Sequence, residues 1–130
     1  MENRRMVVDT SIFIDYLRAN NKAETSLRKL PNDAKVYVSP VMLYELYMGA
    51  TNTQKWKDVK ILTEDIPIIP FSKEVAEKSA LLYQALKKKN QVIEFRDIFI
   101  AATALIYNLP VLTRNSKHFS RIKNLKVIAT

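Results

Sequence analysis

Along this chain, short apolar runs alternate with longer stretches in which apolar residues recur every three or four positions. Met6-Val7-Val8 reads as a buried strand, and residues 10–18 follow as a helix with Ile12, Phe13, Tyr16 and Leu17 on one side. The same spacing predicts a helix over 23–30, stopped by Pro31-Asn32-Asp33. A second strand spans 35–38. Ser39 then offers a helix N-cap and Pro40 a first-turn proline, so a helix begins there, runs through Met48 and stops near Gly49. Residues 52–62 form another helix, with Trp56, Val59 and Leu62 on one face. Ile68-Ile69, between Pro67 and Pro70, is a short strand. Ser72 caps a long helix to Lys89, and Lys87-Lys88-Lys89 falls where cations suit the helix dipole. Residues 97–107 form a strongly apolar helix, and 111–112 and 126–128 are the last strands.

Strands that alternate with helices, without a tight hairpin signal, predict an α/β fold: a parallel sheet covered on both faces and joined by right-handed crossovers. Ligands of such sheets gather at the carboxyl ends of the strands. At 130 residues, with no repeat and no linker, the chain is expected to form one domain over 1–130. Its 48% hydrophobic content excludes a disordered chain.

Composition narrows the chemistry. The absence of cysteine excludes disulfides, zinc–thiolate sites and thiol catalysis, and the single glycine, Gly49, excludes glycine-rich phosphate loops. The apolar run before Asp9 is too short for a signal peptide, and no run reaches membrane-spanning length. A soluble, cytoplasmic protein is expected. Lys and Arg number 21 against 13 acids, a net charge of +8, which suits a polyanion. From 110 to 130 there is no acid, while Arg114, Lys117, Arg121, Lys123 and Lys126 are basic. Such a segment fits a phosphate backbone and, equally, an acidic protein partner.

Three carboxylates stand against otherwise apolar elements. Asp9 lies at the carboxyl end of the first strand, as a metal ligand or as the cap of the next helix. Glu45 interrupts Val41-Met42-Leu43-Tyr44 and Leu46-Tyr47-Met48, a helix expected to be buried all round. A carboxylate there needs a metal or a Lys or Arg partner, the alternative being a solvent-facing stripe one residue wide. Asp97 precedes Ile98-Phe99-Ile100-Ala101-Ala102, as a ligand, a cap or the partner of Arg96. Together the three favour a metal site: clustered carboxylates raise one another's pKa, and a hard cation such as Mg²⁺ or Mn²⁺ removes that penalty. Such a cation can activate water and clamp a phosphate. Asp15 reads as structural or as a support behind the ligands, and Glu94 as an exposed loop charge with a further site carboxylate as the alternative. His118, the one histidine, reads as a solvated surface residue with a general base as the alternative. Tyr44, Tyr47, Met48 and Trp56 read as core, with a partner groove as the alternative.

The run from Val7 to Leu17, with Asp9-Thr10-Ser11 inside it, resembles the opening of PIN-domain nucleases, especially the VapC-type toxins of toxin–antitoxin pairs. Leu43-Tyr44-Glu45-Leu46-Tyr47-Met48-Gly49-Ala50 resembles that family's second acidic motif. Asp97-Ile98-Phe99-Ile100-Ala101-Ala102-Thr103-Ala104 resembles its third. Val111-Leu112-Thr113-Arg114-Asn115, followed by Phe119, resembles its fourth. The four motifs stand in order along nearly the whole chain.

The resemblance implies a three-layer α/β/α domain and Mg²⁺- or Mn²⁺-dependent endoribonuclease activity. Asp9, Glu45 and Asp97 match the metal-holding acids, Ser11 and Thr113 the hydroxyls that order metal or water, and Asn115 the fourth catalytic position. Many relatives carry an aspartate in that last region, whereas here no acid follows Asp97. Arg114, Lys117 and Arg121 would meet the RNA backbone. An antitoxin and a homodimeric partner are implied as well. The competing expectations are a catalytically degenerate module that binds RNA or protein, a DNA-directed nuclease, and an aspartyl-phosphate phosphatase. The last usually needs a second Asp two residues after the first, where this chain has Ser11.

Overall fold

The computed structural model describes residues 4–130. Four strands, β1 (Arg5–Val8), β2 (Lys35–Tyr37), β3 (Val111–Thr113) and β4 (Val127–Ala129), form one sheet in the order β2-β1-β3-β4. Every pairing is parallel, with Val7 opposite both Tyr37 and Val111, and Leu112 opposite Ile128. Six α-helices connect and flank the strands: α1 (Thr10–Arg18), α2 (Pro40–Met48), α3 (Thr53–Thr63), α4 (Lys73–Lys88), α5 (Phe95–Ile106) and α6 (Ser116–Phe119).

Alternation along β1 sends its side chains into two separate cores. Met6 and Val8 pack with Ile12, Phe13, Met42, Leu46 and Val59 from α1, α2 and α3. Val7 packs on the opposite side with Leu86, Ile98, Ile100, Ala101 and Phe119 from α4, α5 and α6. This is the α/β/α layering expected from the sequence, with the carboxyl edge of the sheet lying between the two helical layers.

Helix boundaries follow from capping chemistry. The Ser39 hydroxyl accepts from the Met42 amide, Asn52 Oδ1 from Lys55 and Ser72 Oγ from Val75. With one glycine in the chain, asparagines take the left-handed positions that close helices. Asn108 (φ 56°) lets the Leu109 amide reach Ala104 O, and Asn90 (φ 55°) lets Gln91 reach Leu86 O.

Several expectations are corrected. Residues 23–30 are not an α-helix but a 3-10 turn, Lys22–Glu24, followed by further turns. The buried Thr25 hydroxyl bonds Lys22 O and accepts from the Arg28 amide, competing with helical hydrogen bonds. Ile68-Ile69 forms a single bridge to Val38 rather than a strand, because the flanking prolines have no N–H to extend the ladder. The apolar helix near Asp97 begins two residues earlier, at Phe95, so Asp97 lies in its first turn. The short α6 was not anticipated. Finally, α2 is not buried all round: Met42 and Leu46 are, whereas Tyr44 and Met48 are 58% and 55% exposed. Trp56 is also exposed, so core packing fails as a reading of these three.

Candidate active site

Asp9 follows β1 directly, and its amide donates to Leu112 O at 2.9 Å, which ties it to β3. It occupies the N-cap position of α1, yet its carboxylate makes no capping bond. Instead Oδ2 accepts from Ser11 Oγ and from Thr113 Oγ1, each at 2.8 Å. Thr113 is fully buried at the end of β3, and its oxygen also accepts from the Asn115 amide at 2.8 Å. Ser11 Oγ in turn accepts from the Arg114 amide at 3.0 Å. Hydroxyls from α1 and β3 thereby lock the carboxylate of a residue that is only 3% exposed. Among the described residues Oδ1 has no protein donor.

Glu45 approaches from the middle of α2. Thr10 Oγ1 donates to its Oε1 at 2.6 Å, and Arg96 Nε lies 3.4 Å from its Oε2. Arg96 also reaches Glu94 through Nη2 at 3.3 Å, and its guanidinium sits 5.4 Å from the centre of the Phe95 ring. The alternative of an ion pair for Glu45 is thus realised, and the partner is Arg96. Asp97 does not have that partner.

Asp97 projects from the first turn of α5, where the helix dipole favours an anion. Its Oδ2 lies 3.2 Å from His118 Nδ1, and the same nitrogen is 2.9 Å from Asn115 Nδ2. When Nδ1 carries hydrogen it donates to Asp97; without it, it accepts from the Asn115 amide. Burial pushes the Asp97 carboxyl above its usual range. The negative charges of Asp9 and Glu45 push it further, against the lowering effect of the His118 bond and charge. Asp97 therefore senses both other carboxylates at the edge of the sheet.

His118 is corrected from a solvated surface residue to a half-buried member of the site. Asn115 falls beside it, as the N-cap residue of α6. Arg114 pairs with Asp15 at 3.3 Å, which gives Asp15 its structural role. Lys117 lies on α6 and Arg121 just beyond it. Glu94 is exposed, as expected, but is bound to Arg96. Reading the sequence missed Thr10, which adjoins a candidate acid, and offered Arg96 to Asp97; the actual partner of both is the distant Glu45.

Among the described residues, no three acids and histidines close into a ready metal cage. The donor set nevertheless suits a hard divalent cation: Asp9, Glu45 and Asp97 offer carboxylate oxygens, and Ser11 and Thr113 hold one of them in place. The upward push on Asp97 by its acidic neighbours is the strain a cation relieves.

The family model for the PIN domain matches residues 6–125. Ribonuclease VapC1 of Methanocaldococcus jannaschii is 31% identical over 122 residues, covering 94% of this chain and 84% of the relative. The structure of VapBC-1 from nontypeable Haemophilus influenzae superposes with a TM-score of 0.81 at 26% identity, covering 96% of this chain and 97% of the other. A toxin–antitoxin complex from Klebsiella pneumoniae gives 0.76 at 27% identity, covering 95% and 96%. With the motif order, the parallel sheet and the acids at its carboxyl edge all in agreement, this chain belongs to the PIN domain family.

Proposed function

We propose that this chain is a metal-dependent endoribonuclease, the toxin of a toxin–antitoxin pair, and that Asp9, Glu45 and Asp97 are its metal-holding residues. The observation that carries the reading is the convergence of three carboxylates, one directly after β1 and the others on α2 and α5, at the carboxyl edge of the sheet. The ribonuclease name of the relative and the toxin–antitoxin nature of the structural neighbours support it. The whole chain, 1–130, is read as the single nuclease domain.

Mg²⁺ or Mn²⁺ is the cation that suits these oxygens; bound there, it supplies a water of lowered pKa and positive charge for a phosphate. The protein's own work is positioning. Ser11 and Thr113 hold Asp9 with Oδ1 turned free. Thr10 orients Glu45, and His118, backed by Asn115, orients Asp97. Water attack on phosphorus, opposite the leaving 3′ oxygen, leaves a 5′-phosphate and a 3′-hydroxyl. Arg114, Lys117 and Arg121 receive flanking phosphates, so binding weakens steeply with salt.

The exposed Tyr44 and Met48, and Trp56 tilted against the Tyr47 ring with centroids 4.4 Å apart, form apolar surface beside Glu45 that supports an antitoxin as partner. Homodimerisation belongs to the same reading. No helix among the described residues is long and apolar enough to cross a membrane.

The test is cleavage of a mixed RNA pool by purified protein with Mn²⁺, with Mg²⁺ and with chelator, beside Asp9→Asn. Metal-dependent cleavage lost in the variant is the expected result. No cleavage by folded, antitoxin-free protein in any condition would point instead to a binding module, and preference for matched DNA would overturn the ribonuclease assignment.

A further inference from the structure

We propose that Arg96 grips the scissile phosphate, and that Glu45 holds it in reserve until the divalent cation takes over that carboxylate. The inference rests on the ribonuclease reading of this site and adds to it a residue that contacts substrate.

Position comes first. Arg96 precedes Asp97 in the first turn of α5, so the backbone itself delivers the guanidinium to the carboxylate cluster. Among the described residues it is the one Lys or Arg whose charged group pairs with a proposed metal ligand. Arg114, the more obvious candidate from sequence, is paired outside the cluster with Asp15. The Arg96 side chain is 28% exposed, against 49% for Arg114, so its charge is the less screened of the two.

The way Arg96 is held is consistent with a residue that changes partners. It meets Glu45 through Nε at 3.4 Å and Glu94 through Nη2 at 3.3 Å. Charge-assisted N–H···O bonds of full strength run at roughly 2.7–2.9 Å and are often bidentate. Here each carboxylate takes one long contact from a different edge of the fork, so neither satisfies the guanidinium. A phosphodiester offers two non-bridging oxygens with the matching geometry.

A divalent cation on Glu45 removes the acceptor that Nε now faces, and its charge repels the guanidinium from that oxygen. Glu94 and the Phe95 ring keep Arg96 near the mouth of the site when Glu45 lets go. There it would lie against the phosphate held beside Asp9 and Asp97, where negative charge builds as the P–O bond breaks. A guanidinium preorganised at that point stabilises the transition state more than the ground state.

The two roles predict effects of opposite sign. With RNA absent, Arg96→Ala binds Mn²⁺ about three- to tenfold more tightly than wild type by calorimetry, because a competing cation has gone. At saturating Mn²⁺, the same variant cleaves a single-stranded RNA pool about 10²- to 10³-fold more slowly in kcat, with a smaller change in KM. Arg96→Lys keeps the charge without the fork: its Mn²⁺ affinity stays near wild type, and its kcat recovers only in part. A residue that merely braced the fold would not tighten metal binding while slowing cleavage.

Arg96→Ala with wild-type kcat at saturating Mn²⁺, or with weaker or unchanged Mn²⁺ binding, overturns the proposal. If the alanine variant fails to fold, Arg96→Lys decides, and a lysine variant with wild-type kcat rejects the phosphate role. Wild-type protein that cleaves no RNA removes the ribonuclease reading. The Mn²⁺ titration then still judges the exchange at Glu45: tighter binding by Arg96→Ala upholds it and unchanged binding rejects it.

Discussion

Asp9 on one side of the site, and Glu45 with Asp97 on the other, present the same functional group to the same sheet edge by opposite means. Asp9 is gripped by two hydroxyls, one from α1 and one from β3, and lies almost wholly inside the protein. Glu45 and Asp97 stand on helices and are met by side chains that carry or can carry positive charge, Arg96 and His118. Hydroxyl donors orient a carboxylate without bringing a compensating charge, and they leave Asp9 one oxygen free. Cationic partners compensate charge, so Glu45 and Asp97 must exchange or rearrange partners when a divalent ion arrives. The Asp9 side is therefore the fixed half of the site and the helical side its adjustable half.

The comparison breaks most visibly at Asp9. Asp9→Asn keeps an oxygen to accept from Ser11 and Thr113 but loses the charge, so the fold should survive while metal-dependent cleavage falls about 10³-fold or more, read by single-turnover kinetics beside circular dichroism. A variant that kept substantial cleavage would show that Asp9 is not the anchor.

Thr113→Val attacks the grip rather than the charge. It strips a buried hydroxyl that serves both Asp9 and the Asn115 amide. Denaturant unfolding should show a loss of about 1–3 kcal/mol, and cleavage should fall about 10- to 100-fold. On the adjustable side, His118→Ala should weaken Mn²⁺ binding by about tenfold with little change in stability, since the ring is half-exposed. Equal stability losses in the two variants would erase the distinction between the halves.

The smallest effect expected is one of pH. Asp97 holds its proton more tightly in the folded protein than in the unfolded chain, so its ionisation costs stability. That cost is absent below the ordinary carboxyl value of 3.8 and complete once pH passes the raised folded value. Metal-free wild type should thus lose Tm relative to Asp97→Asn as pH rises through this window. Saturating Mn²⁺ should restore the wild type alone. A parallel pair of Tm profiles would contradict a carboxyl raised mainly by burial and further by its acidic neighbours.

Much of this was legible in local chemistry. Ser39, Pro40 and Gly49 bound α2 to the residue, and the three acids stood out because their neighbours are apolar. What could not be read was who meets whom. Glu45 finds Arg96, 51 positions away, and Asp97 finds His118, 21 positions away, only because parallel crossovers bring α2, α5 and α6 to one edge. Sequence neighbours suggested Arg96 for Asp97 instead. Local reading also failed where side-chain hydroxyls or prolines decide the backbone, as at Thr25 and at Pro67 and Pro70. The exposure of Tyr44 and Met48 was hidden for a related reason, since a partner's surface and a core carry the same apolar residues.

The central claim, a divalent cation held by Asp9, Glu45 and Asp97, is tested most directly by Mn²⁺ titration followed by electron paramagnetic resonance, comparing wild type with Asp9→Asn without RNA. The account predicts saturable binding by wild type and at least about tenfold weaker binding by the variant. Equal affinity in the two proteins, or no saturable binding by wild type, would contradict it.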